Sequence, residues 1–308
     1  VSVFLGEVGK VQTLEIEGRS VRLTNLDKYL WPKERITKSD LLQYYITMSS
    51  VILPHWRRRP MTVTRYPHGV TGEFFYQKNC PSSAPEWVET FRHGDTNYVL
   101  VNDLSTLIWL ANQGTIEFHP AEYEITDPLT PSFILIDLDP TPPLGFRDAV
   151  EIALHCRELL VQLNLRGYPK TSGSTGIHIY IPLLPKYGFL ISAGVAQLVG
   201  VLLQELIPSR VTLERLVKRR RGVYVDYLQN SPGKTLVGVY SPRPTAAATV
   251  SAPVSWDELP YIEPEDFTLR NMPERVGLRG DLFEPVLTDK QSVDHLIPVL
   301  ADLSVKLL

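Results

Sequence analysis

The segment Phe133-Ile134-Leu135-Ile136-Asp137-Leu138-Asp139-Pro140 constrains this chain more than any other. It begins as a fully apolar strand and ends in acid. Strand side chains alternate between faces, so Asp137 and Asp139 point the same way while Leu138 points into the opposite layer. Their Cα atoms are expected roughly 6.6 Å apart, two strand rises, and from that spacing both carboxylates can converge on one site. Two such anions repel unless a cation or a shared proton compensates them. A divalent metal held by oxygen ligands is the simplest remedy, and it suits phosphate chemistry. The plainer alternative is a polar strand end running into an Asp/Pro turn. The rest of the chain must therefore supply a third ligand and a grip on phosphate.

A chain of 308 residues, 44% hydrophobic, can bury a core of one large domain or two closely packed lobes. No uninterrupted apolar run approaches the roughly 20 residues that span a bilayer, and no signal-peptide pattern opens the chain, so no membrane partner is expected. Opening on Val1 rather than Met is expected of a fragment or processed chain. The two cysteines, Cys80 and Cys156, have no motif context. They exclude a Cys-cluster metal site and point to a reduced, cytoplasmic setting. The net charge of −3 argues mildly against a nucleic-acid partner, but its distribution argues the other way. Arg210, Arg215, Lys218, Arg219, Arg220 and Arg221 face a single acid, Glu214, and a second basic patch runs Arg57-Arg58-Arg59 and on to Arg65. Acids gather towards the C-terminus, at Asp257, Glu258, Glu263, Glu265 and Asp266. Each basic run alone reads as a solvated face; two on a net acidic chain favour a localised polyanion site.

Residues 11–23 alternate and predict a hairpin around Glu17-Gly18. Thr37-Lys38-Ser39-Asp40 opens a helix of about three turns carrying Leu41, Leu42, Tyr45, Ile46 and Met48. Strands are predicted at 61–66 and 98–101, a turn at Pro67-His68-Gly69, a loop over 81–85 and a helix over 104–112. The second half predicts strand 133–139, helix 146–163, strands 168–172 and 176–182, helix 192–206, and strands 223–226 and 235–240. The tail, 257–308, reads as helical and irregular cover. Alternating strands and helices give an α/β (α+β) sheet domain with an N-terminal lobe packed against it.

Two further segments share the design of 133–140. In Thr171-Ser172-Gly173-Ser174-Thr175-Gly176-Ile177-His178, the glycines relax the backbone so that amides and hydroxyls can face an anion. His178 lies on the face opposite Ile177 and Ile179 and can reach the same anion. In Val223-Tyr224-Val225-Asp226-Tyr227-Leu228-Gln229-Asn230, one acid sits among apolar neighbours, a costly placement unless ionically compensated. Asp226 is thus the natural third ligand. Lys234 and Arg243 are spaced to donate to a polyphosphate, or else are solvated surface residues.

Together these motifs resemble the polymerase domain of the bacterial and archaeal non-homologous end-joining DNA ligase D, within the archaeo-eukaryotic primase superfamily. The residues that carry the resemblance are Asp-Leu-Asp-Pro, Thr-Ser-Gly-Ser-x-Gly-x-His-x-Tyr, Val-Tyr-Val-Asp-Tyr-x-Gln-Asn-Ser and Tyr-Ser-x-Arg. In the first half it extends through Leu23-Thr24-Asn25-Leu26-Asp27-Lys28, Thr37-Lys38-Ser39-Asp40, Phe75-Tyr76-Gln77-Lys78 and Glu117-Phe118-His119, covering most of 20–260 in order. It implies a single primase-polymerase domain over 1–308. An N-terminal lobe of about 1–130 would bind DNA ends, an RRM-like catalytic sheet would occupy about 131–260, and 261–308 would be C-terminal cover. It further implies that Asp137, Asp139 and Asp226 bind two divalent ions, manganese or magnesium, and are the catalytic residues. Ser172, His178, Arg243 and Lys234 would hold the incoming nucleoside triphosphate, with His119 and Gln229 lining its pocket and Phe75 packing on the base. Asn25, Lys28 and Lys38 match the pocket for the 5′-phosphate of a broken end, and Arg65, Arg219, Arg220 and Arg221 are expected on template or second-end DNA. Two positions depart from the family pattern: Thr175 and Thr64 stand where basic residues are common.

The implied activity is template-directed nucleotidyl transfer on primer-template DNA, filling gaps and extending 3′ ends at double-strand breaks with a preference for ribonucleotides. Ser172 and His119 are the candidates for sugar contacts. A Ku-like end binder and a separate or fused ligase are implied partners, since no nucleotidyl-lysine ligase motif is present, and the expected location is the nucleoid. The rival readings are a primase that starts chains de novo, a non-catalytic module for DNA ends, and a two-metal nuclease.

Overall fold

In the computed structural model, which describes residues 11–306, Glu17 and Gly18 both take positive φ, 51° and 77°. That pair closes the turn between β1 (Val11–Ile16) and β2 (Arg19–Thr24), the predicted hairpin. Residues 1–10, 307 and 308, included in the expected domain, lie outside the described residues. A short hairpin follows, β3 (Tyr29–Trp31) with β4 (Ile36–Thr37). Thr37 then caps α1 (Lys38–Trp56): its Oγ1 accepts the Asp40 amide while Asp40 Oδ2 accepts the Thr37 amide at 2.7 Å. The helix runs to 19 residues, past the expected three turns, because Ile52, Leu53 and Trp56 extend its buried face.

Next come β5 (Pro60–Arg65), β6 (Phe75–Gln77), β7 (Thr90–His93), β8 (Thr96–Leu100), α2 (Leu104–Asn112) and β9 (Thr115–Pro120). They form an antiparallel sheet in the order β6-β5-β8-β7, with β9 also paired to β5. Its aromatic core stacks Trp56 on Phe118 at 5.0 Å, with Tyr45 edge-on to both. Strands β6, β7 and β9 were not anticipated; β6 and β7 carry no buried alternation, and β9 is buried along most of its length.

The second unit is built on β10 (Phe133–Pro140), α3 (Phe146–Gln162), β11 (Tyr168–Thr171), β12 (Ile177–Pro182), α4 (Phe189–Leu206), β13 (Val211–Thr212) and β14 (Val223–Val225). Its sheet order is β11-β12-β10-β14-β13, antiparallel except for β13 with β14. Omitting short β13, the strands lie second, third, first, fourth, the split βαβ arrangement expected of an RRM-like sheet. Both long helices pack on β10. By length and composition alone α4 could cross a membrane, but Gln197, Gln204 and Glu205 interrupt its apolar run, and its Val195, Ala196, Val199 and Leu203 are buried in this unit.

One correction concerns the chain's later half. The predicted strand 235–240 is absent: only an isolated bridge joins Thr235 to Ala121. Tyr240 takes φ 64°, and a Cβ on Gly238 would stand 2.6 Å from Trp56 Nε1, so this apolar stretch is buried irregularly against the first unit's core. The units are not consecutive along the chain. The first comprises the chain through Ala121 with Thr235–Ser251 and Glu265–Gly280; the second comprises Glu122–Lys234, Ala252–Pro264 and the chain from Asp281. The tail is helical as expected, with α5 (Met272–Arg279) in the first unit and α6 (Pro285–Thr288) and α7 (Ile297–Lys306) in the second.

Candidate active site

Leu135, Asp137 and Asp139 share one face of β10, while Ile134, Ile136 and Leu138 fill the opposite layer. Pairing register decides what meets the acids. Asp137 lies opposite His178 on β12, and His178 lies opposite Lys170 on β11, so the three form a row across adjacent strands. Lys170 Nζ stands 2.8 Å from His178 Nδ1, and His178 Nε2 stands 3.5 Å from Asp137 Oδ1. On the other side, β14 delivers Asp226: its amide donates to the Asp137 carbonyl at 3.0 Å, and Tyr224 OH donates to Asp226 Oδ1 at 3.2 Å.

Asn230 locks the turn that follows Asp226. Its side chain pairs with Leu135 as a strand would, accepting the amide at 2.7 Å and donating to the carbonyl at 2.8 Å, and Ser192 Oγ donates to Asn230 Oδ1. Arg220 lies over the Tyr224 ring at 3.6 Å, with Nη1 3.9 Å from Asp139 Oδ2. Of the four arginines expected on DNA, three lie on the loop before β14: Arg219 and Arg221 are exposed, whereas Arg220 is turned towards the acids.

Burial, then Asp139, then Asp226 push the Asp137 carboxyl up to about 7 against the opposing pull of Lys170 and Arg220. Asp139 is raised too, chiefly by burial and despite Arg220. By formal charge, three carboxylates, Asp137, Asp139 and Asp226, face two nearby cations, Lys170 and Arg220. Among the described residues no three His, Cys, Asp or Glu side chains already close into a ligand cage. A set of adjacent, undercompensated carboxylates nevertheless fits a hard divalent ion by donor chemistry and charge.

The glycine loop departs from its expected form. Ser172 Oγ accepts the amides of Ser174 and Gly176 at 3.1 and 3.0 Å, so those amides are spent inside the loop. Gly176 is required here, because a Cβ would lie 2.8 Å from the Leu138 carbonyl oxygen on β10. Gln229 is buried in the turn after Asp226, and Lys234 is exposed.

The first unit gathers two clusters of its own. Lys38 is buried, and its Nζ donates to the carbonyls of Thr24 (2.8 Å) and Asn112 (2.7 Å). Burial first, then repulsion from Lys28 and Arg65, lower its pKa to about 8. Arg65, expected on template DNA, thus belongs electrostatically with Lys28 and Lys38; it donates to the Gln113 carbonyl and lies 5.2 Å over the Phe75 ring. Asn25, at φ 52°, makes the turn that returns its carbonyl to the Lys28 amide, and Lys28 Nζ donates to the Pro67 carbonyl. In the second cluster, buried Glu117 accepts Arg243 Nε at 2.8 Å and Tyr66 OH at 3.2 Å, and lies 3.9 Å from His119 Nε2. Thr64, where a basic residue was expected, is buried with its hydroxyl 3.0 Å from His119 Nε2.

Sequence reasoning assigned no role to Lys170, Arg220's contact with Asp139, or Glu117. For Lys170 a signal existed: it lies two residues before Ser172, on the same strand face by the two-residue period.

The chain matches the family model described as LigD, primase-polymerase domain, over residues 37–283. It is 38% identical over 263 residues to the bifunctional non-homologous end joining protein LigD of Bacillus subtilis (strain 168), covering 84% of this chain and 43% of that protein. It is 36% identical over 285 residues to the multifunctional non-homologous end joining protein LigD of Mycolicibacterium smegmatis, covering 90% of this chain and 37% of that protein. The chain therefore spans about two fifths of the length of these curated relatives. Among solved structures, it is similar to the polymerase domain of Mycobacterium tuberculosis ligase D in complex with DNA, with a TM-score of 0.81 and 33% identity over 87% of this chain and 98% of the other.

Proposed function

The chain belongs to the LigD primase-polymerase domain family, and from that premise we propose that it is a template-directed nucleotidyltransferase that fills gaps and extends 3′ ends during non-homologous end joining. The observation that carries the reading is the undercompensated set Asp137, Asp139 and Asp226 at the centre of an RRM-like sheet. The set would hold two divalent ions, manganese or magnesium, which when bound lower the pKa of a primer 3′-hydroxyl and stabilise charge as pyrophosphate leaves. The protein's own part is positioning and charge compensation. In this reading His178 offers Nε2, on the acid side of its ring, to a triphosphate oxygen, and Ser172 and Gln229 are further nucleotide contacts. Lys234 and, in the first unit, Arg243 serve as further phosphate donors. His119 and Phe75 take the nucleotide's sugar and base, a polar contact beside the 2′-hydroxyl favouring ribonucleotides.

The lysine cluster supports an end-joining role. Lys28, Lys38 and Arg65 crowd three cations together, an arrangement that a 5′-phosphate would relieve without any sequence readout. Arg219 and Arg221 are left for template or second-end phosphates. In this role the protein works at the nucleoid with a Ku-like end binder and a ligase.

The test is extension of a labelled primer-template bearing a downstream 5′-phosphate, with manganese and ribo- or deoxyribonucleotides. Wild type extends and Asp139→Ala does not; equal extension by both refutes the reading. Lys28→Ala is expected to remove only the advantage of the downstream phosphate. Synthesis on an unprimed circular single strand would replace it with the primase reading.

A further inference from the structure

Lys170 is fully buried, at 0% exposure, in the middle of β11. An ammonium there is expensive unless it is paired and hydrogen-bonded. It sits in the row Lys170, His178, Asp137, one residue from each of three adjacent strands, fixed by register rather than by loop conformation. Its Nζ lies 2.8 Å from His178 Nδ1. A charged ammonium has only hydrogens to give, so the ring nitrogen facing it must be the one that accepts. The ring hydrogen then sits on Nε2, the atom 3.5 Å from Asp137 Oδ1.

We infer that Lys170 is a positioning residue that fixes the tautomer and orientation of His178, so that Nε2 presents a hydrogen to an anionic oxygen of the incoming nucleotide. This rests on the nucleotide-transfer reading above and deepens it. A histidine aimed at a phosphate can donate from Nε2 only in one of its two neutral tautomers, and the identity of the group on its other nitrogen selects between them. In metal sites the same device orients ligating histidines, and loss of the outer partner costs about 10- to 100-fold in affinity. Two other roles compete: compensation of Asp137's charge, and simple packing under the sheet. Neither requires a particular protonated ring nitrogen.

The test uses the 308-residue chain labelled with [15N]histidine, metal-free. The His178 ring signals, identified by their loss in His178→Ala, are expected to show an unprotonated Nδ1 and a protonated Nε2. In Lys170→Met the ring is expected to average between tautomers. A protonated Nδ1 in wild type overturns the inference, and this holds even if Lys170→Met does not fold. Equilibrium binding of GTP with manganese provides the second arm. Lys170→Met weakens GTP binding about tenfold or more, and Lys170→Met with His178→Ala is no weaker than His178→Ala alone. Multiplying losses would mean that Lys170 acts independently of His178, and an unchanged affinity would leave it structural; either result overturns the inference. A wild type that does not bind GTP refutes the proposed function instead, while the ring spectrum still decides the tautomer.

Discussion

The proposed preference for a 5′-phosphorylated DNA end is expected to fall between pH 7 and pH 9, because the lowered pKa of Lys38 lies in that range. The Lys38 ammonium is buried, held by two carbonyls and crowded by Lys28 and Arg65, which lowers its pKa from 10.5 to about 8. The folded value lies below the unfolded one, so between about pH 8 and 10.5 the unfolded chain holds more protons and stability rises with pH. At pH 7 the folded protein carries a charge it would rather lose, at a cost of about 3 kcal/mol. A docked phosphate, doubly charged throughout pH 7–9 because its second pKa is about 6, offsets that cost and returns the ammonium towards its ordinary value.

The magnitude follows from the two values. If phosphate binding restores 10.5, affinity at pH 9 is about tenfold below that at pH 7, roughly 1.4 kcal/mol, and binding at pH 8 takes up about half a proton. The assay is fluorescence anisotropy on recessed duplexes with a 5′-phosphate or a 5′-hydroxyl, at constant ionic strength, read as the affinity ratio. Lys38→Arg is expected to give a flat ratio, since a guanidinium does not titrate in this range. A wild-type ratio that stays flat from pH 7 to 9, or an equal decline in Lys38→Arg, would refute the role given to Lys38.

Four further outcomes are expected. Asn230→Leu strands the amide and carbonyl of Leu135 and removes the Ser192 hydroxyl's acceptor, costing about 3 kcal/mol in denaturant unfolding; a loss below about 1 kcal/mol would show that water replaces the side chain. Gly176→Ala drives a Cβ against the Leu138 carbonyl and lifts the loop from β10, so GTP affinity falls, and an unchanged affinity would separate the loop from the nucleotide. Asp139→Asn removes one of the charges that raise Asp137, so the metal-free protein melts higher while the stabilisation that manganese gives wild type is lost. In the same metal-free wild type, stability declines as pH rises from about 4 to about 7, the span over which Asp137 keeps its proton folded but has lost it unfolded.

What could be read from the sequence and what could not divide along a physical line. Periodicity placed Asp137 and Asp139 on one face, because the side-chain period of a strand is local and needs no partner. The Thr37–Asp40 capping box and the Glu17-Gly18 turn were legible for the same reason: each is complete within four residues. The stretch 235–240 misled, since its apolar residues are buried by neighbours distant in sequence, and the positive φ of Tyr240 is not written in its composition. The row Lys170, His178, Asp137 belongs to a third kind. Each residue is visible on its own strand, but the row exists only once β11, β12 and β10 pair in a particular register. A slip of one residue would turn Lys170 to the opposite face and leave His178 without its partner. The buried apolar residues that set that register, Ile177, Ile179 and Ile181 on β12 against Ile134, Ile136 and Leu138 on β10, are therefore part of the candidate site's construction. They fix which nitrogen of His178 faces the acids without touching a reacting atom.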